Sequence, residues 1–170
     1  EDYYSGDSIT KNNVIAQYGQ MPDWDVSRVT DMNFLFRDKR FVYDIRNWNV
    51  SNVTNMAYMF FGATTFSQDI SSWNVSNVTN MQGMFEDAQV FNTNISNWDV
   101  SKVTNMNTMF KNAIRFNQPI QNWNPKSLDS MIQMFQGAKA FDQTLCWDNR
   151  SNIGTFGTYE WNTGSNAKWC

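Results

Sequence analysis

Any acid–base chemistry in this chain would have to be done without an imidazole, because the sequence contains no histidine. That removes histidine bases, Ser-His-Asp triads and histidine-ligated metals. The glutamates are Glu1, Glu86 and Glu160. Asp23 and Asp25 stand close in sequence, but the same alignment recurs as Asn47/Asn49 and Asn122/Asn124. Carboxylate and amide are interchangeable there, which suits a polar ladder and not two carboxyls tuned to different pKa values. No D-x-D-x-D-G loop offers a calcium site. The expectation is a protein that is not an enzyme, with no catalytic residues, no metal and no cofactor. Cys146 and Cys170 flank an irregular C-terminal stretch and read as one disulfide closing it. Such a loop is worth about 3 kcal/mol in the chain-entropy model. Two unpaired thiols are the alternative.

The elements that position these groups come from a 25-residue repeat. Tryptophans fall at Trp24, Trp48, Trp73, Trp98, Trp123 and Trp147, with Phe41, Phe66, Phe91, Phe116 and Phe141 on the same period. Met56-x-x-Met59-Phe60, Met81-x-x-Met84-Phe85, Met106-x-x-Met109-Phe110 and Met131-x-x-Met134-Phe135 keep it too. A fixed period of this size predicts a solenoid. Ile70, Trp73 and Val75 form an apolar-x-x-apolar-x-apolar segment like the strand of a leucine-rich repeat. Met81, Met84, Phe85 and Ala88 make a helical stripe, predicting a short helix from about Asn80 to Asp87. The expected fold class is an α/β repeat solenoid. Its leucine-rich-repeat-like coils, each a short strand plus a short helix, stack into a parallel sheet with N- and C-terminal caps.

The expected organisation is an N-terminal helical cap over 1–22, five repeats over 23–145, and a C-terminal cap over 146–170 closed by the disulfide. A helix starting at Asp7 or Ser8 stops at Gly19. Pro125 replaces the valine of the repeat and should weaken strand pairing there. Trp48, Trp73, Trp98 and Trp123, with Phe60, Phe85, Phe110 and Phe135, form the core ladder. Aromatic pairs in such columns add roughly 0.5–1.5 kcal/mol beyond their buried area. Asn77 and Asn80, with their equivalents Asn52, Asn55 and Asn105, sit at coil turns and can bond the backbone of the next coil.

The repeat W-[DN]-V-S-x-V-T-[DN]-M followed by M-F-x-x-A-x-x-F resembles the BspA-type leucine-rich repeat of bacterial and mycoplasmal surface proteins. The resemblance is closest at Trp48–Phe66, Trp73–Phe91 and Trp98–Phe116 and runs from about Asp23 to Leu145. It implies a secreted or surface protein used in adhesion and protein binding, and it implies no catalytic residues.

Net charge is −3 and the pI about 4.8, with no basic run, so binding through phosphate neutralisation is not expected. No apolar stretch has the length of a membrane span, so membrane insertion is not expected either. The chain opens on Glu1-Asp2-Tyr3-Tyr4 without a signal-peptide pattern, as a processed mature protein or a fragment would. Both cysteine usage and the resemblance place it outside the cell or on its surface.

The outward positions flanking each tryptophan are Asp23 and Asp25, Asn47 and Asn49, Ser72 and Asn74, Asn97 and Asp99, and Asn122 and Asn124. This strand-face ladder is the expected site for a protein or glycan ligand. Copies of the chain are the alternative partner, making it a structural subunit of a larger surface assembly or filament. A row at Thr30, Thr54, Thr79 and Thr104 raises ice or polysaccharide surfaces as a remote alternative. Asn49, Asn52, Asn74, Asn77, Asn94 and Asn149 head Asn-x-Ser/Thr sequons. Most are repeat consensus, which leaves Asn149 and then Asn94 as the glycosylation candidates.

Overall fold

The computed structural model describes residues 8–40, 43–147 and 160–170. Among them, helix α1 spans Ser8–Tyr18 and a 3-10 turn spans Met21–Asp23. Strands β1 (Thr144–Leu145) and β2 (Lys168–Trp169) pair in parallel. Gly19 ends α1 with φ 74°, its N–H bonding the Ile15 carbonyl at 2.8 Å. Glycine reaches this left-handed region without a Cβ clash.

The α/β solenoid of strand-plus-helix coils is not formed. The repeats are built from turns. In the segment expected to be a helix, Met84, Glu86 and Ala88 N–H close turns onto Met81, Gly83 and Phe85 carbonyls at 3.1–3.2 Å. The intervening Met81, Gly83, Phe85 and Asp87 N–H instead reach Asn105, Asn107, Met109 and Lys111 carbonyls of the following unit at 2.8–2.9 Å. An α-helix would have spent every N–H on its own chain four residues back. Here half of them join one unit to the next. The backbone permits this by taking φ near +57° at Gly83 and +59° at Asp87, a reversal no right-handed helix contains. The same pair of reversals recurs at Phe34 and Asp38, Tyr58 and Gly62, Thr108 and Asn112, and Gln133 and Gly137.

The expected strand fails for a related reason. Trp73 N–H turns back to the Ile70 carbonyl and Val78 N–H to the Val75 carbonyl, so the extended piece between them has no room for a ladder. The parallel sheet is reduced to isolated bridges through Asp31, Asn55, Asn80, Asn105 and Ser130. Pro125 does not interrupt the array. Asp129 N–H still bonds the Thr104 carbonyl at 2.8 Å, as Thr104 bonds Thr79. Among the described residues Val50, Val75 and Val100 N–H donate no hydrogen bond, so proline at this position removes nothing.

Units so joined bury two phenylalanine columns. Phe60, Phe85, Phe110 and Phe135 stack with centroids 5.5–5.7 Å apart, and Phe66, Phe91, Phe116 and Phe141 at 5.6–5.8 Å. Within a unit the two rings meet at about 3.8 Å, as Phe85 meets Phe91. The tryptophans are also buried, which demands a partner for each indole N–H. Trp48, Trp73, Trp98, Trp123 and Trp147 Nε1 donate to the carbonyls of Met21, Ile45, Ile70, Ile95 and Ile120 at 3.0–3.2 Å. Each tryptophan is thereby a polar clip to the unit before it as well as a core residue.

The two ends differ. At the C-terminal end Phe135 and Gly137 N–H bond the Trp161 and Thr163 carbonyls, and Asn166, Lys168 and Cys170 N–H bond Phe141, Gln143 and Leu145 carbonyls. The Cys146–Cys170 disulfide closes this covering segment. At the N-terminal end Val14 and Ile15 of α1 pack against the core.

Candidate binding surface

All ten residues of the expected ladder are exposed, but they lie on turns and not on a sheet face. Their roles divide. Asp25, Asn49, Asn74 and Asp99 Oδ1 accept the N–H of Ser27, Ser51, Ser76 and Ser101 two residues on, at 2.9–3.2 Å. These are Asx turns, in which the side chain replaces a backbone acceptor. That column is spent on folding the repeat. Ser72 Oγ is likewise occupied by the Arg46 carbonyl at 3.2 Å. Among the described residues, the side chains of Asp23, Asn47, Asn97, Asn122 and Asn124 have no internal hydrogen bond and remain available to a ligand.

There are two further Asx columns, and the second includes Asn55, Asn80 and Asn105, whose side-chain carbonyl oxygens serve their own unit and not the backbone of the next coil. Asp44, Asp69 and Asn94 accept from Arg46, Ser71 and Ser96 N–H. Asp31, Asn55, Asn80 and Asn105 accept from Asn33, Ala57, Gln82 and Asn107 N–H. The signal was present as Asp or Asn recurring at the same place in successive repeats. Asn94, a glycosylation candidate, is exposed and belongs to the first of these columns. Asn149 lies outside the described residues. Asn52 and Asn77 reach the Ser27 and Ser51 carbonyls of the preceding unit at 2.7 and 2.8 Å. The threonine row is bonded within itself: Thr54, Thr79 and Thr104 Oγ1 donate to the Thr30, Thr54 and Thr79 carbonyls at 3.1–3.2 Å.

The electrostatics follow from the turns. Hydrogen bonds from Ser27, Ser71 and Ser101 hold Asp25, Asp69 and Asp99 below the usual value of 3.8. Asn33 does the same for Asp31, and the Arg46 side chain does so for Asp44. Each is a lowered folded-state pKa. The stability it contributes is present above the unfolded value and is lost as pH falls through the folded one. Glu86 is opposite: burial raises it above 4.5, with Lys111 Nζ only 3.9 Å away in partial compensation. Its contribution is present below the unfolded value and is lost as pH rises through the folded one. The melting temperature should therefore climb from strongly acidic pH to about pH 4, then meet one opposed step just above the ordinary glutamate range. Thermal melts of Glu86→Gln should lack that step and keep the acid limb. An acid limb absent from both proteins would refute the Asx-turn assignment.

Among the described residues no group of His, Cys, Asp or Glu side chains could hold a metal ion, and no helix is long and apolar enough to cross a membrane. A concavity of about 540 Å³ lies at the N-terminal end of the array, lined by Met21, Met32, Phe34, Leu35, Phe36 and Trp48 among others. Phe34 and Leu35 are 45% and 44% exposed there, which the sequence reading missed because their unit looks like the others.

No curated protein and no solved structure matches this chain. The family model described as Mycoplasma protein of unknown function, DUF285, matches twice in overlapping stretches, over residues 8–96 and 72–165. Those matches take in most of the sequence, including every turn-built unit described above, and the chain belongs to the DUF285 family.

Proposed function

We propose that this protein is an extracellular or cell-surface recognition and adhesion module that binds a protein or glycan and performs no catalysis. The observation that carries the reading is the exposed amide column Asn47, Asn97 and Asn122, with Asn124 beside it, whose hydrogen-bonding capacity the fold leaves unspent. Hydrogen-bonded units stand about 4.8 Å apart, so Asn97 and Asn122 on successive units, with Asn47 two units before Asn97, offer a ligand donors and acceptors together. The resemblance to BspA-type surface proteins supports the adhesive role, and the Cys146–Cys170 disulfide supports an oxidising compartment. The disulfide-closed C-terminal segment argues against a filament grown through that end.

A screen of immobilised glycans and surface proteins would identify a ligand. The triple variant Asn47→Lys, Asn97→Lys and Asn122→Lys should then bind it at least tenfold more weakly while melting as the native protein does. These positions test the surface cleanly because none of their side chains closes a turn. Undiminished binding by the folded variant would remove this column as the site.

A further inference from the structure

The turn segments of successive units are joined by a repeated polar pattern of fixed direction. Met32, Phe34, Phe36 and Asp38 N–H donate to Asn55, Ala57, Met59 and Phe61 carbonyls at 2.7–3.0 Å. Met56, Tyr58, Phe60 and Gly62 N–H donate in the same way to Asn80, Gln82, Met84 and Glu86. Every turn segment therefore gives N–H groups to the unit after it and offers carbonyls to the unit before it. Among the described residues no segment bonds to the first one in this way. Among the described residues nothing donates to the carbonyls of Asp31, Asn33, Leu35 or Arg37. Beside this row lies the 540 Å³ apolar concavity, with Phe34 and Leu35 open to solvent.

We infer that this N-terminal edge is a docking site for a turn segment of the same repeat type, carried by another polypeptide with its N–H row uncovered. The same joint already recurs between successive units of this chain, so the edge is complementary to such a segment in both polarity and shape. A second copy of this chain is a poor occupant. Two N-terminal edges would face acceptors to acceptors. The C-terminal N–H groups of Phe135 and Gly137 are already taken by Trp161 and Thr163 under the disulfide-closed segment. The mode is the edge addition by which peptides extend exposed backbone rows. It is independent of the amide column, so either surface can fail without the other.

The test is calorimetric titration of the oxidised 170-residue chain with a synthetic peptide copying residues 101–125, whose amides at Met106, Thr108, Phe110 and Asn112 form the matching row. Saturable one-to-one binding is expected, at least tenfold tighter than for a scrambled peptide. N-methylation at the residues copying Thr108 and Phe110 deletes two donors and keeps the side chains, and it should abolish binding. Leu35→Glu in the protein should weaken binding about tenfold without lowering the melting temperature. Equal binding of scrambled or N-methylated peptide would overturn the proposal. So would self-association of the protein alone that Leu35→Glu blocks, since the occupant would then be a second copy.

Discussion

Replacing Phe85 by alanine should destabilise the protein by about 3–5 kcal/mol, the range for deleting a buried aromatic ring. Phe85 is fully buried and stands at the crossing of the ladder. It stacks on Phe60 and Phe110 at 5.7 Å, on Phe91 at 3.8 Å, and meets Trp98 at 6.3 Å. Truncation leaves a cavity between two units that cannot collapse, because their separation is set by the backbone bonds from Phe60 to Met84 and from Phe85 to Met109. In a repeat array stability is close to a sum of unit and nearest-neighbour terms, so the loss falls on both joints at once. Phe36→Ala should cost less, since Phe36 lies in the first described turn unit and stacks on one following ring, Phe60, where Phe85 has ring columns on both sides. Urea unfolding of the two variants checks the order. A cost below about 1 kcal/mol for Phe85→Ala would mean that the rings are not a close-packed core.

Cys146→Ser should remove about 3 kcal/mol, the loop-closure contribution of a bridge spanning 24 residues in the chain-entropy model. The larger consequence is local. The disulfide closes the segment that supplies the Trp161 and Thr163 carbonyls to Phe135 and Gly137. Amide hydrogen exchange at Phe135 and Gly137 should accelerate sharply in the variant. Exchange at Phe110, which bonds Met134, should follow only the global change in stability. Uniform acceleration throughout the chain would show instead that the end segment and the array unfold as one unit.

The sequence by itself determined the period, the residues that face inward and the cysteine pair. Trp, Met and Phe at fixed spacing must be buried wherever the backbone runs, because apolar area is the dominant driving force. All eight rings of the expected ladder are indeed buried. The column Asp38, Gly62, Asp87, Asn112 and Gly137 even carried the mark of a left-handed backbone, as Gly, Asn and Asp tolerate that region best. Its companion column of Phe34, Tyr58, Gly83, Thr108 and Gln133 carried that mark at Gly83 alone.

Only the tertiary structure decided where each N–H goes, and that choice overturned the strand and the helix. A stripe at Met81, Met84, Phe85 and Ala88 reports which side chains meet the core and fits a helix and a ribbon of turns equally well. The turns prevail because a neighbouring unit offers carbonyls at alternate residues, an energetic term absent from any single repeat. For the same reason the candidate ladder divided into turn-closing and unspent side chains. The N-terminal carbonyl row was likewise invisible beforehand, since its residues resemble their equivalents and only the hydrogen bonds among the described residues set them apart.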